Sequence, residues 1–327
     1  MNQFLRNNQK TLGIFGFLVL LASVTAAIEP SFMGEGNVTN MVRYTGLYGI
    51  ISLGVAFVII TGGIDLSVGS LIGLTGVLLP KLIIESDWSV GAAMMVVMAL
   101  SLGVGLIHGL LITKLRLQPF LVTLCGLFIY RGFARYVGGD RTLGFGNEYQ
   151  GLRQALVKTP VLGVPMAFWV LVILAIGFAL FLNKTVWGRY MLALGRNEEA
   201  ARFSGINTQR MTIVSYMICS GLAGFGGMMF ILENNSATGS NLGNFHELYA
   251  IAGAVLGGCS LRGGEGAVAG VILGAALVQV VENAVFFLEA PDTLKYAVLG
   301  FFILFGVILD EILNRVAARR RALKAAG

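Results

Sequence analysis

The chain consists largely of apolar segments that are long enough to cross a lipid bilayer. A helix needs about 20 consecutive apolar residues to span the hydrocarbon core. Ten segments reach or approach this length, at residues 11–27, 40–61, 66–84, 89–113, 119–137, 164–184, 211–232, 247–259, 266–288 and 294–313. The eighth is short and rich in glycine. The pattern predicts an all-α integral membrane protein with about ten transmembrane helices, and no linker divides residues 1–327 into separate domains.

The composition is that of a protein dissolved in lipid. Charged residues make up 12% of the chain and hydrophobic residues 56%, whereas a soluble domain carries about 25% charged residues. The 45 glycines suit helices in lipid, where small residues let backbones approach closely. The net charge of +6 is not arranged in basic runs with interleaved aromatic residues. Nucleic-acid binding is therefore not expected.

The cysteines and the first apolar run have simple interpretations. Cys125, Cys219 and Cys259 all lie in apolar runs and are interpreted as small buried hydrophobic side chains. Their odd number and their spacing predict neither a disulfide framework nor a metal site. Residues 11–27 resemble a signal peptide, but the rest of the chain crosses the membrane repeatedly. We therefore interpret this run as an uncleaved first span.

The distribution of Lys and Arg predicts the orientation in the membrane. Cytoplasmic loops of membrane proteins carry an excess of these residues. Most of the 23 Lys and Arg residues fall in cytoplasmic segments if the N-terminus lies inside. An even number of spans then places both termini in the cytoplasm. The loop at about 185–210 is predicted to be cytoplasmic, and the loop at about 138–163 is predicted to lie outside, where it could meet an extracytoplasmic partner.

A polar run in the cytoplasmic loop predicts a helix of about two turns. An Asn side chain is a good N-cap, acidic residues favour the first turn, and Gly suits the left-handed position that ends a helix. These features occur in order at Asn197, Glu198, Glu199, Ala200, Ala201, Arg202, Phe203, Ser204 and Gly205. The helix is either an ordinary solvated loop element or a docking element for a soluble partner. The chain contains no Gly-Lys pair, so it lacks the phosphate-binding loop of a nucleotide-driven motor.

Three stretches carry a resemblance to a known family. Glu199-Ala200-Ala201 followed by Gly205 resembles the EAA-x3-G signature in the cytoplasmic loop of ATP-binding-cassette (ABC) importer permeases, although the downstream Ile-x-Leu-Pro part is absent. Residues 61–70, read as TGGIDLSVGS, are similar to a signature of the ribose/xylose/arabinose-type sugar permeases. Residues 250–264 resemble the second conserved block of that family, with Cys259 where Thr is common. Branched-chain amino-acid permeases are relatives of similar layout that lack the Asp-Leu-Ser run.

The resemblance implies the ABC importer permease fold and a role in transport. It implies a membrane-spanning subunit that moves a monosaccharide across the bacterial inner membrane without cofactors or catalysis of its own. The implied partners are a cytoplasmic ATPase subunit gripping the 197–205 helix, a second permease subunit (identical or paralogous), a soluble sugar-binding protein outside, and the lipid bilayer. The alternatives are an ion-coupled secondary sugar transporter, an ABC permease for another small solute such as a branched-chain amino acid, an integral membrane enzyme and a passive channel.

Several polar residues within or beside spans are candidates for the solute path. The Gly62-Gly63 pair predicts a helix break, and freed backbone groups at membrane depth must find polar partners. Intramembrane polar groups face protein or water and not lipid. The candidates are Asp65 and Ser67 at this break, Gln279, Glu282 and Asn283 in the ninth span, and Asn234 and Asn235 at the end of the seventh. Helix capping at the cytoplasmic face and helix–helix hydrogen bonds are the structural alternatives.

Two arginines and one histidine also lie within the predicted spans. Arg131 and Arg135 are four residues apart and share a helix face. They either snorkel to the outer interface, pair with Glu233 or Glu282, or line the outer vestibule. His108 lies in a glycine-rich stretch and is interpreted as a packing residue.

Overall fold

The structure is a computed structural model that describes residues 9–139 and 141–288, together with isolated positions between 294 and 308. The tenth predicted span, at 294–313, and the C-terminus fall almost entirely outside the described residues.

Helices dominate the described chain. The long ones are α1 (Gln9–Ile28), α2 (Glu35–Ile60), α3 (Val68–Pro80, continued by a π-helical turn at Lys81–Glu85), α4 (Val90–Lys114), α5 (Pro119–Gly138), α7 (Met166–Lys184), α10 (Thr208–Asn234) and α12 (Val268–Phe287). The shorter ones are a 3-10 turn at Pro30–Met33, α6 (Gln150–Arg153, with a π-helical turn at Gln154–Lys158), α8 (Val186–Arg196), α9 (Glu198–Phe203) and α11 (His246–Leu256). Two strands of two residues, β1 (Pro160–Val161) and β2 (Val164–Pro165), pair antiparallel in the loop between α5 and α7.

Eight of these helices are long and apolar enough to cross a membrane. They are α1, α2, α3 with its π-helical turn, α4, α5, α7, α10 and α12, and they confirm an all-α multi-pass membrane protein. The eighth predicted segment, at 247–259, forms only the 11-residue helix α11. An 11-residue helix is about 16 Å long, so α11 by itself is too short to span the bilayer.

Two helices form the centre of the bundle. Every residue of α2 from Thr45 to Ile60 is buried, and α10 is buried over most of its length. The close packing of α4 against α10 uses glycine: a side chain at Gly105 or Gly109 of α4 would collide with the backbone of α10 at Tyr216 or Ile213. By contrast α1 is almost entirely exposed and packs against α12. The exposed apolar faces are those that lipid would cover.

Three non-helical stretches interrupt the bundle. They occupy residues 61–67, 235–245 and 257–267, and they precede or follow helices of the core. Irregular backbone at membrane depth is tolerated only where it is buried in protein or lines a water-filled cavity. These breaks therefore direct attention to the functional sites.

Candidate functional site

Helix α9 has the local structure that the sequence predicts. The Asn197 side-chain oxygen accepts a hydrogen bond from the backbone N–H of Ala200 at 2.9 Å. Glu198 and Glu199 lie in the first turn, and Gly205 adopts a left-handed conformation with φ of 81°. Of the helix residues only Ala201 is buried. The helix thus stands on the surface of the bundle, and its other side chains are open to a partner.

The surface around α9 combines a groove with one projecting aromatic ring. A groove of about 450 Å³ runs between α8 and α9 and is lined by Arg189, Leu192, Ala193, Arg196, Asn197, Ala200, Ala201, Ser204 and Ile206. The Phe203 side chain is 85% exposed, and the Arg202 guanidinium lies 6.0 Å from the centre of its ring. An exposed aromatic ring flanked by arginine is typical of residues that dominate protein–protein binding.

A close backbone contact at Gly195, which we call the Gly195 junction, connects this surface to the interior. The backbone N–H of Gly264 donates to the carbonyl of Ile60, the last residue of α2, at 2.8 Å. Gly195, near the end of α8, lies directly against both groups, and a side chain there would overlap them. The end of α8 is therefore in backbone contact with the end of α2 and with the 257–267 turn.

The break at 61–67 is held together by a buried polar cluster. Asp65 and Ser67 are both 0% exposed. The Asp65 carboxylate accepts hydrogen bonds from the Ser67 backbone N–H at 2.9 Å and the Ser67 hydroxyl at 2.7 Å. The Tyr216 hydroxyl donates to the Ile64 carbonyl at 3.1 Å. The structure thus places Asp65 and Ser67 inside the protein, where they organise the start of α3.

His108 also belongs to this cluster. Its Nδ1 lies 3.9 Å from the second Asp65 carboxylate oxygen, and its Nε2 lies 2.8 Å from the Tyr130 hydroxyl. The sequence interpretation of His108 as a packing residue is therefore incomplete, since its ring faces Asp65 in the break before α3 and contacts the Tyr130 hydroxyl of α5.

Removal of the Asp65 carboxylate should loosen this break. Asp65→Ala leaves the buried Ser67 N–H without its acceptor, and we expect a loss of about 1–2 kcal/mol in unfolding free energy. Asp65→Asn keeps one acceptor oxygen and should recover most of that loss. Thermal unfolding of the purified protein measures both variants, and equal destabilisation by Ala and Asn would show that the Ser67 bonds are not the cause.

Polar residues of three helices meet at the opposite end of the bundle. Asn37 of α2 donates to Asn283 of α12 at 2.8 Å, and Gln279 donates to Glu282 at 3.0 Å. Arg43 of α2 pairs with Glu233 of α10 at 3.3 Å. The Tyr44 hydroxyl lies 3.5 Å from the Asn234 side-chain oxygen. The structure therefore brings Gln279, Glu282, Asn283 and Asn234 into one region, which we call the outer polar cluster.

Asn235 does not join the outer polar cluster. Its side-chain oxygen accepts from the Phe145 N–H at 2.9 Å, and its amide donates to the Gly146 carbonyl at 2.8 Å. These bonds, with the Leu143–Ala237 bridge, attach the loop between α5 and α7 to the end of α10. Asn235 and Asn234 thus point to different partners although they are adjacent in sequence.

Arg131 occupies a position that differs from the sequence expectations. Its guanidinium donates to the carbonyls of Gly239 at 3.0 Å and Leu242 at 2.7 Å, so it neither snorkels outward nor pairs with Glu233 or Glu282. Those carbonyls lie in the non-helical stretch 235–245. Arg135 of the same helix is exposed.

This stretch runs back into the bundle and ends where α11 begins. Gly239 packs against the backbone of Ala134, and Gly243 packs against that of Gly69 near the start of α3. The next residues are His246 and Glu247, the latter buried against Gly69. We call residues 235–245 the re-entrant segment. Together with α11 it takes the place of the eighth predicted span.

Sequence reasoning missed the polar face of α2. Asn37, Asn40, Tyr44 and Tyr48 recur at intervals of three or four residues, which places them on one helix face. That spacing was the available signal. Within the residues that the structure describes, no group of three or more His, Cys, Asp or Glu could hold a metal ion.

A bundle of bilayer-spanning helices with a solvated surface helix and interrupted spans defines a multi-pass membrane protein. The chain belongs to the family described as the permease component of the branched-chain amino acid transport system, which matches residues 37–307.

Curated relatives extend over nearly the whole chain. The ribose import permease protein RbsC of Escherichia coli (strain K12) is 35% identical over 298 residues, covering 90% of this chain and 91% of that protein. RbsC of Bacillus subtilis (strain 168) is 34% identical over 307 residues, covering 92% of each. The galactose/methyl galactoside import permease protein MglC of Escherichia coli (strain K12) is 31% identical over 316 residues, covering 92% of this chain and 94% of that protein. No solved structure matches the chain.

Proposed function

We propose that this protein is the membrane-spanning permease subunit of an ATP-driven ABC importer that carries a monosaccharide across the bacterial inner membrane. The names of the relatives support sugar import, and they do not favour a secondary transporter. The observation that carries the mechanism is α9, a capped surface helix joined by backbone contact at Gly195 to the end of α2.

The proposed mechanism starts at the cytoplasmic surface. A partner ATPase grips α9 and Phe203, and ATP binding draws two ATPase domains together. The displacement passes through the Gly195 junction to α2, whose opposite half carries Arg43, Tyr44 and Tyr48. The permease then shifts between states open to either side, because rigid elements in contact move as units. ATP hydrolysis is assigned to the partner, and the permease itself makes and breaks no covalent bond.

The remaining partners and the topology belong to the same proposal. A soluble sugar-binding protein docks on the external side, where the loop at 138–163 and the outer polar cluster lie. A second permease copy or paralogue completes the path across the membrane. Residues 1–327 form a single transmembrane domain of about ten spans with both termini in the cytoplasm, an orientation supported by the Lys and Arg bias.

Reconstitution in proteoliposomes tests this proposal. The permease alone should not concentrate D-ribose or D-galactose, whereas the complex with its ATPase and binding protein should do so only when ATP is supplied. The reason is that the chain has no phosphate-binding loop of its own. Uptake is measured with radiolabelled sugar, and omission of ATP under an imposed proton gradient is the control. Concentrative uptake without ATP would contradict the ABC assignment and favour secondary transport.

A further inference from the structure

The re-entrant segment places His246 at about the middle of the membrane. Tyr48 lies halfway along the 26-residue helix α2, which at 1.5 Å per residue spans the whole bilayer core. The His246 Nε2 lies 3.5 Å from the Tyr48 hydroxyl. His246 therefore sits at about the same depth, although it follows a segment that starts at the outer end of α10.

Specific contacts of Arg131 and of two glycines hold His246 at this depth. Two carbonyls of the re-entrant segment are bonded by Arg131, and Gly239 and Gly243 allow contact with neighbouring backbones. Irregular backbone at such depth persists only where protein or water satisfies it. The chain thus maintains a costly interruption whose result is a partly exposed imidazole at mid-membrane.

Aromatic rings surround this imidazole. The centre of the His246 ring lies 4.7 Å from that of Phe230, 5.0 Å from that of Tyr48 and 6.4 Å from that of Tyr249. Sites for small ligands combine apolar and aromatic walls with a few placed polar groups. Here the polar groups are the Tyr48 hydroxyl and the imidazole Nε2, each able to exchange a hydrogen bond with a ligand. They lie beside the exposed Asn244, whose backbone carbonyl lies 3.2 Å from the His246 Nδ1.

A polar line connects this cluster with the outside. Tyr44 lies one turn outward from Tyr48 on the same helix and reaches Asn234. Arg43 beside it is paired with Glu233. Because that arginine is neutralised, the line suits an uncharged solute better than a carboxylate.

We infer that His246 and Tyr48 form a binding site for the uncharged, polyhydroxylated ring of the solute midway across the membrane. This inference rests on the proposed function and gives it a location. Solute hydroxyls exchange hydrogen bonds with the imidazole and the phenol, and the ring passes along the aromatic walls. Asn244 lies at the rim of the site.

Cysteine protection tests the site directly. The variant Asn244→Cys, in a Cys125→Ser background because Cys125 is exposed while Cys219 and Cys259 are buried, is assembled into the complete complex. During ATP-driven uptake, D-ribose or D-galactose should slow alkylation by N-ethylmaleimide about threefold, as expected when a ligand occupies most of the site. Leucine should not. Leu261→Cys in the 257–267 turn is the matched control and should react at the same rate with and without sugar.

Substitutions at the site provide the second readout. His246→Ala and Tyr48→Phe should each lower the sugar transported per ATP hydrolysed by about tenfold, the cost of one lost solute hydrogen bond. His246→Gln keeps a donor and an acceptor and should restore part of the ratio. Leu248→Ala, also exposed on α11, should leave the ratio unchanged.

The outcomes distinguish failure of the proposed binding site from failure of the proposed transport function. Continued ATP-driven sugar uptake with no protection at residue 244 would overturn the site and leave the proposed function standing. Absence of sugar uptake by the unmodified complex would overturn the proposed function itself. If His246→Ala fails to assemble, the protection experiment still decides, because it leaves His246 and Tyr48 in place.

Discussion

Replacing Phe203 with Ala is expected to reduce ATP-driven uptake by about 30-fold or more, because truncation of an aromatic hot spot costs about 2 kcal/mol or more in binding. The ring is 85% exposed on α9, so its removal should not lower the stability of the folded permease. The loss should therefore appear in binding of the ATPase subunit and in uptake, with the melting temperature of the isolated permease unchanged. Co-purification of the two subunits and sugar uptake in proteoliposomes are the measurements.

Tyr136 provides the matched control for Phe203. Its ring is 84% exposed at the other end of the bundle, on α5, away from the proposed ATPase surface. Tyr136→Ala should leave ATPase binding unaltered. Equal binding by Phe203→Ala and the unmodified permease would mean that α9 is only a solvated loop helix, the structural alternative given by the sequence.

Replacing Arg131 with Leu is expected to destabilise the permease by about 2–5 kcal/mol, because two carbonyls in the membrane lose their donor. Those carbonyls, at Gly239 and Leu242, belong to the re-entrant segment that positions His246. Arg131→Lys retains a charged donor without the planar fork. Its stability should fall between that of the unmodified protein and that of Arg131→Leu. Thermal unfolding of the purified protein in detergent measures the series.

Arg141 is the control for the loss of a charge. It pairs with Glu85 at 2.6 Å on the exposed surface, where an ion pair contributes less than about 1 kcal/mol. Arg141→Leu should melt close to the unmodified protein. If the melting temperature of Arg131→Leu were also close to that of the unmodified protein, the re-entrant segment would not depend on the guanidinium.

Local features of the candidate site were predictable from the sequence. The cap at Asn197 and the left-handed turn at Gly205 depend on residues within one helical turn, so α9 follows from a short stretch of chain. The break after Ile60 was likewise signalled by Gly62-Gly63. The eight long helices agree with their predicted spans to within about five residues, because a bilayer demands nearly continuous apolar sequence.

Long-range polar contacts could not be predicted in the same way. Arg131 bonds carbonyls more than 100 residues away in sequence, and any backbone carbonyl is an equally good acceptor. Likewise the polar stretch 235–245 has the composition of an ordinary loop. The packing of Gly239 against Ala134 and of Gly243 against Gly69 shows that this stretch runs into the bundle.

The shortness of α11 has a consequence for biogenesis. Eleven residues cannot partition into lipid as an independent stretch during synthesis, since insertion needs about 20. The carbonyls that precede α11 depend on Arg131, which emerges from the ribosome earlier. The helices α3 and α5 must therefore be in place before this part of the chain settles. Insertion of the permease is thus ordered from its N-terminal half. The proposed solute site at His246 is among the last parts to reach its folded position.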